Sequence, residues 1–191
     1  MCIRDRVVTD HDRRCVAWAR NQCLQQLDHC EHIFLFDDDC WPVMRGWAEY
    51  WSSQCEAAGA RYSAMPESFK TEFYGLRHDD IGAWEGGIGA ATYRHQSTLA
   101  VIGGYNEKLQ GYGFEDAGML DRARRSAVND IGVSYNPAPF RLLAYIHSAD
   151  VYGENPEPSY TVEEKEAHIA ANRDELSLIH ISEPTRPLYI S

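Results

Sequence analysis

The chain has 191 residues, 44% of them apolar and 12% aromatic, and a formal charge of −11. That length and apolar share support a single domain with a real core. The acidic balance excludes a broad basic face for nucleic acid, and no run is apolar and long enough to span a bilayer.

In chain order, the first feature is the terminus. Met1-Cys2-Ile3-Arg4-Asp5-Arg6 can be encoded by ATG TGT ATA AGA GAC AGn. Leu176-Ser177-Leu178-Ile179-His180-Ile181 can be encoded by the reverse complement, CTG TCT CTT ATA CAC ATn. Ends related in this way read as the inverted end of a transposon-based sequencing adapter. Residues 1–6 and 176–191 are therefore expected to be adapter-derived and are set aside from fold reasoning. The two ends together carry +1, which leaves −12 on the body 7–175, expected to be an internal piece of a domain.

Arg14–Leu27 is predicted as a helix, with Val16, Ala19, Cys23 and Leu27 at helical spacing and Asp12 as its cap. Ile33-Phe34-Leu35-Phe36, bounded by polar residues, predicts a short buried strand. Pro42 breaks the chain. Val43–Ala58 follows as a helix with Trp47, Tyr50, Trp51, Gln54 and Ala58 on one side and Gly59 as its stop. Tyr62–Met65 reads as a strand, and Glu67–Asp80 as a polar excursion with a short strand near Phe73-Tyr74. A glycine-rich stretch, Ala83–Gly89, leads into a strand around Ala90–Tyr93 and a short helix, Ser97–Ile102, closed by Gly103-Gly104. Lys108–Phe114 is a loop, and Glu115–Ser126 a helix with Met119, Leu120 and Ala123 inward. Strands are expected at Gly132–Tyr135 and Arg141–Ile146, a loop at Asp150–Tyr160, and a charged terminal helix at Val162–Asp174. Alternating strands and helices predict an α/β fold: a mixed, mostly parallel, Rossmann-like sheet flanked by helices, with ligands at the carboxyl ends of strands. The six cysteines show neither CxxC nor zinc-finger spacing, which reads as reduced, mostly buried thiols in a cytoplasmic protein, free or peripheral to a membrane.

Two constellations carry chemistry. Asp37-Asp38-Asp39 directly follows the apolar strand. Crowded carboxylates at a strand end are costly unless a cation sits there, and a hard divalent cation on carboxylates commonly also holds a phosphate. In extended chain Asp37 and Asp39 share a face and Asp38 points away. A solvated turn is the plain alternative. The second constellation is Gly103-Gly104-Tyr105-Asn106-Glu107, then Gly111-Tyr112-Gly113-Phe114-Glu115-Asp116. Its glycines permit close backbone approach, and Tyr105, Tyr112 and Phe114 offer flat faces that suit a sugar ring. Glu115 and Asp116 open a helix, which is also ordinary capping chemistry; beside such a platform, a carboxylate can act as general base toward a hydroxyl.

With these segments in order, the chain resembles the nucleotide-sugar glycosyltransferases of the GT-A fold, family-2-like and similar to the galactosyltransferase C-terminal segment. Ala19-Arg20-Asn21 is similar to the "ARN" helix segment, Phe34–Asp39 to the DxD motif, and Gly103–Asp116 to the "GG(Y/F)…GYGxED" segment. The similarity covers roughly Val8 to Tyr152. It implies a metal-dependent hexosyltransferase-like enzyme, and GYGxED at this distance after DxD is the most specific part of the resemblance. Asp37, Asp39 and His147 would hold Mn²⁺ or Mg²⁺; Arg20, Asp37, Asp38, Trp84, Gly86 and Gly87 would line the site of a UDP- or GDP-sugar donor. Asp116 would be the base of an inverting displacement, and Glu115, Tyr112 and Gly113 would bind a glycan or other hydroxyl acceptor. The family's N-terminal nucleotide-binding strand has no counterpart here, so the domain is expected to be N-terminally truncated. A haloacid-dehalogenase-like phosphatase also places DxD after an apolar strand, but Trp41 stands where it would want Thr or Val. A non-catalytic sugar-binding fragment is the third reading.

Overall fold

The computed structural model describes residues 15–37, 40–42, 45–65, 77–78, 81–84, 88–109, 111, 113–126, 128, 136–139, 143–145 and 161–182. Its centre is a three-stranded sheet of β1 (His32–Phe36), β6 (Ile88–His95) and β3 (Tyr62–Met65), in the order β1-β6-β3. Two smaller sheets pair β2 (Cys40–Pro42) with β8 (Leu143–Tyr145), and β4 (Arg77–His78) with β5 (Ile81–Trp84) and β7 (Asn136–Pro139). The helices are α1 (Val16–Gln26), α2 (Trp47–Ala57), α3 (Ser97–Ile102), α4 (Glu115–Arg125) and α5 (Val162–Ser182). None of the described helices is long and apolar enough to cross a membrane.

Strand β1 explains the layering. Successive side chains of a strand point to opposite faces, and here both faces are covered. Ile33 and Leu35 join Ala17 and Leu24 of α1, Ile102 of α3, and Met119, Leu120 and Ala123 of α4 in one core. Phe34 and Phe36 join Trp51, Cys55 and Trp47 of α2, with Ala91 and Tyr93 of β6, in the other. The Phe34 ring lies 4.9 Å from Trp47 and 5.3 Å from both Trp51 and Tyr93, centroid to centroid. Strand β3 alternates in the same way: Tyr62 and Ala64 face the first core, while Ser63 accepts a 3.1 Å hydrogen bond from the Trp51 indole on the other. The result is a sheet between two helical layers.

The expected flanking helices are present, but every described pairing is antiparallel. Strands β1 and β3 do run in the same direction, with α2 between them in sequence, yet β6 is inserted antiparallel between the two. An unbroken apolar run reports burial on both faces; it carries no information on the direction of the neighbouring strand.

Local departures have physical causes. The buried face of α1 is Ala17, Asn21 and Leu24, whereas Ala19 and Cys23, expected inward, are exposed. Polar Asn21 and Arg20, which fix that face, do not register in a hydrophobic stripe. Helix α2 begins only at Trp47, after Gly46 at φ 75°, instead of at Val43. Pro42, read as a break, ends the short strand β2, and Pro137 and Pro139 lie in β7. A proline inside a run argues against a strand unless it lies at an edge or end. Strand β8 and helices α3 and α4 fall where expected, and Met119, Leu120 and Ala123 are buried. The strands expected near Phe73-Tyr74 and at Gly132–Tyr135, and the cap Asp12, lie outside the described residues.

Candidate active site

Three sequence segments meet at the end of β1. The ladder between β1 and β6 continues one residue past the strand, through a 2.9 Å bond from the Asp37 amide to the Ala90 carbonyl. The Asp37 carboxylate therefore emerges at the carboxyl end of β1, its side chain 44% exposed. Asp116 lies in the first turn of α4, where the helix dipole favours a carboxylate. Arg20, on α1, spans the two: one guanidinium nitrogen donates to Asp37 at 2.9 Å, and the other donates to Asp116. The planar fork of arginine suits such a double engagement.

The site is walled on its inner side. The Gly89 amide donates to the second oxygen of Asp116 at 2.9 Å, and the Gly89 carbonyl accepts from Arg20 at 3.3 Å. A Cβ at Gly89 would collide with both the Arg20 guanidinium and Asp116, so only glycine fits while the pair is intact. The Arg20 guanidinium lies 5.3 Å from the Tyr105 ring centroid, and Arg94 sits 6.0 Å from the same ring. Arg94 is itself buried, held by the Gly103 carbonyl, the Met119 sulfur and the Tyr62 ring.

Electrostatics follow from this burial. Asp116 has its pKa pushed up from 3.8 to about 6, chiefly because burial penalises the charged form; Arg20 opposes the rise, and Glu115 and Asp37 add to it. Burial works against the charge on Arg20, but Tyr105, Asp116 and Asp37 together hold its pKa above the usual value. Burial lowers the pKa of Arg94 and raises that of Tyr105.

Asn21, beside Arg20, secures the glycine-rich segment. Its amide donates to the Tyr105 carbonyl at 3.0 Å and to Glu107 at 2.7 Å, and its oxygen accepts the Tyr105 amide at 2.7 Å. From the opposite side α5 packs on the turn before α4. Asn172, buried, donates to the Gly113 carbonyl at 2.9 Å, and Arg173 lies 5.9 Å from the Phe114 ring. Phe114 adopts φ 71°, an uncommon value for a residue with a side chain, as the cap of α4.

Of the predicted site residues, Arg20, Asp37, Glu115, Asp116 and Gly113 are described in full, and Arg20, Asp37 and Asp116 are brought into direct contact. Trp84 closes β5 opposite Asn136. Asp38, Asp39, Gly86, Gly87, Tyr112 and His147 lie outside the described residues. Tyr105 corrects one expectation: it is only 3% exposed, enclosed between two arginines, and is no open platform for a sugar. The roles of Asn21 and Gly89 do not follow from the sequence pattern alone. Gly89 ends the glycine-rich stretch and Asn21 follows Arg20, which was the available signal.

Among the described residues, no group of three or more His, Cys, Asp or Glu comes together as a metal site. Magnesium-type ions are usually held by one or two carboxylates plus substrate phosphate, and partly exposed Asp37 suits that donor chemistry.

The chain matches no protein-family model, no curated protein and no solved structure.

Proposed function

We propose that this chain is the catalytic part of a metal-dependent glycosyltransferase that moves a sugar from a nucleotide-sugar to an acceptor hydroxyl, with inversion. The observation that supports this reading best is the Arg20 bridge, which ties the acid at the end of the central strand to the acid at the start of α4. A leaving diphosphate and an attacking hydroxyl need opposite help, and these two carboxylates can divide that work.

Asp116 is the base. Its carboxyl lies near neutrality, as proton transfer at physiological pH requires, and the Gly89 amide and Arg20 fix its orientation. One of its oxygens takes the proton of the acceptor hydroxyl as the new glycosidic bond forms. Glu115 precedes it on α4 and binds acceptor hydroxyls with the Tyr112-Gly113 segment. Asp37, with Asp39 and His147, would hold Mn²⁺ or Mg²⁺, which as a Lewis acid would neutralise the charge of the departing diphosphate. Trp84, Gly86, Gly87 and Asp38 contribute to the donor side. Positioning and charge stabilisation then supply most of the rate.

The test is Asp116→Asn. It is expected to bind a UDP- or GDP-sugar as the unsubstituted protein does and to lose sugar transfer; retained transfer removes Asp116 from the role of base.

A further inference from the structure

We propose that Arg20 is a resident cation that competes with the divalent metal ion for Asp37. Loading the site then passes Asp37 from the guanidinium to the metal, while Arg20 stays on Asp116. This rests on the reading of Asp37 as a metal ligand.

The two ends of the Arg20 bridge are built differently. At Asp116 the guanidinium is enclosed: it also donates to the Gly89 carbonyl, the Gly89 amide holds the other carboxylate oxygen, and the Tyr105 ring backs it. The side chains of Arg20 and Asp116 are 12% and 18% exposed. At Asp37, among the described residues, the guanidinium makes one bond, of 2.9 Å, to a carboxylate that is 44% exposed. An arriving cation reaches only that open end. A divalent ion and a guanidinium on one carboxylate repel each other within a few ångström, so one displaces the other. Losing Asp37 leaves Arg20 with a carboxylate and a carbonyl, and so without an unpaired buried charge. Arg20 is in this sense a positioning residue: it keeps two acids together before loading and holds Asp116 in place afterwards.

Titration of the protein with Mn²⁺ alone, followed by calorimetry, tests this. Arg20→Gln removes the charge but keeps hydrogen-bonding capacity, and is expected to bind Mn²⁺ about tenfold more tightly, as removal of a nearby unit charge predicts. Arg20→Lys keeps the charge but cannot fork across both acids, and is expected to fall between the two. Affinity in Arg20→Gln equal to or weaker than that of the unsubstituted protein overturns the competition. If Arg20→Gln fails to fold, Arg20→Lys decides: tighter binding supports the proposal and unchanged binding overturns it. Asp37→Asn distinguishes the other failure. Unchanged Mn²⁺ binding there overturns the metal site itself, whereas lost binding with unaltered Arg20 variants overturns only the competition.

Discussion

Asn21→Ala removes the anchor between α1 and the glycine-rich segment. Asn21 is 2% exposed and makes three hydrogen bonds, two to the Tyr105 backbone and one to Glu107. Each such bond contributes about 1 kcal/mol net, but a buried partner left unsatisfied costs roughly 1–3 kcal/mol. Tyr105 is 3% exposed, so its amide and carbonyl gain no water in exchange. The loss is expected to be about 3–5 kcal/mol, which lowers Tm by roughly 6–20 °C in a chain of this size. Asn21→Asp keeps the acceptor for the Tyr105 amide but brings a carboxylate against the Tyr105 carbonyl and Glu107, and is expected to be at least as damaging. Urea unfolding followed by circular dichroism measures both. A loss below about 1 kcal/mol for Asn21→Ala would show that the bonds do not hold the segment.

Three further outcomes are expected. The folded pKa of Asp116 is raised from 3.8 to about 6, so its contribution favours folding below pH 3.8 and is lost as pH rises through 6. Asp116→Asn is therefore expected to gain stability relative to the unsubstituted protein between pH 4 and 7, by up to about 3 kcal/mol; urea midpoints at both pH values check the sign. Gly89→Ala drives a methyl group into the Arg20–Asp116 pair. Because the ends of those side chains can move, it is expected to abolish transfer while lowering Tm by only a few degrees, about 1–2 kcal/mol. Thiol labelling in native buffer should modify exposed Cys23 quickly and leave Cys55 unreacted until unfolding, since burial pushes the Cys55 thiol up to about 12; fast labelling of Cys55 contradicts its packing under Trp51.

What was legible in the sequence was the chemistry at the ends of elements. Ile33–Phe36 runs straight into an acid, and β1 delivers Asp37 where expected because a strand packed on both faces must be apolar until it leaves the core. Glu115 and Asp116 open α4 as their position after the glycines implied. Strand direction was not legible, since burial on both faces looks alike in parallel and antiparallel neighbours. Nor was the inward face of α1, where the functional contacts come from Arg20 and Asn21 rather than from an apolar stripe. The enclosure of Tyr105 by two arginines and the packing of α5 on Gly113 and Phe114 are tertiary contacts between segments far apart in sequence.

Release of nucleoside diphosphate from UDP- and GDP-sugars in the presence of Mn²⁺, run beside hydrolysis of p-nitrophenyl phosphate, tests the proposed sugar transfer most directly. Metal-dependent release that is lost in Asp37→Asn, with no hydrolysis of the simple ester, is the predicted result. Hydrolysis of p-nitrophenyl phosphate that depends on Asp37, with the nucleotide-sugars left intact, would contradict it and make the strand-end acids those of a phosphatase.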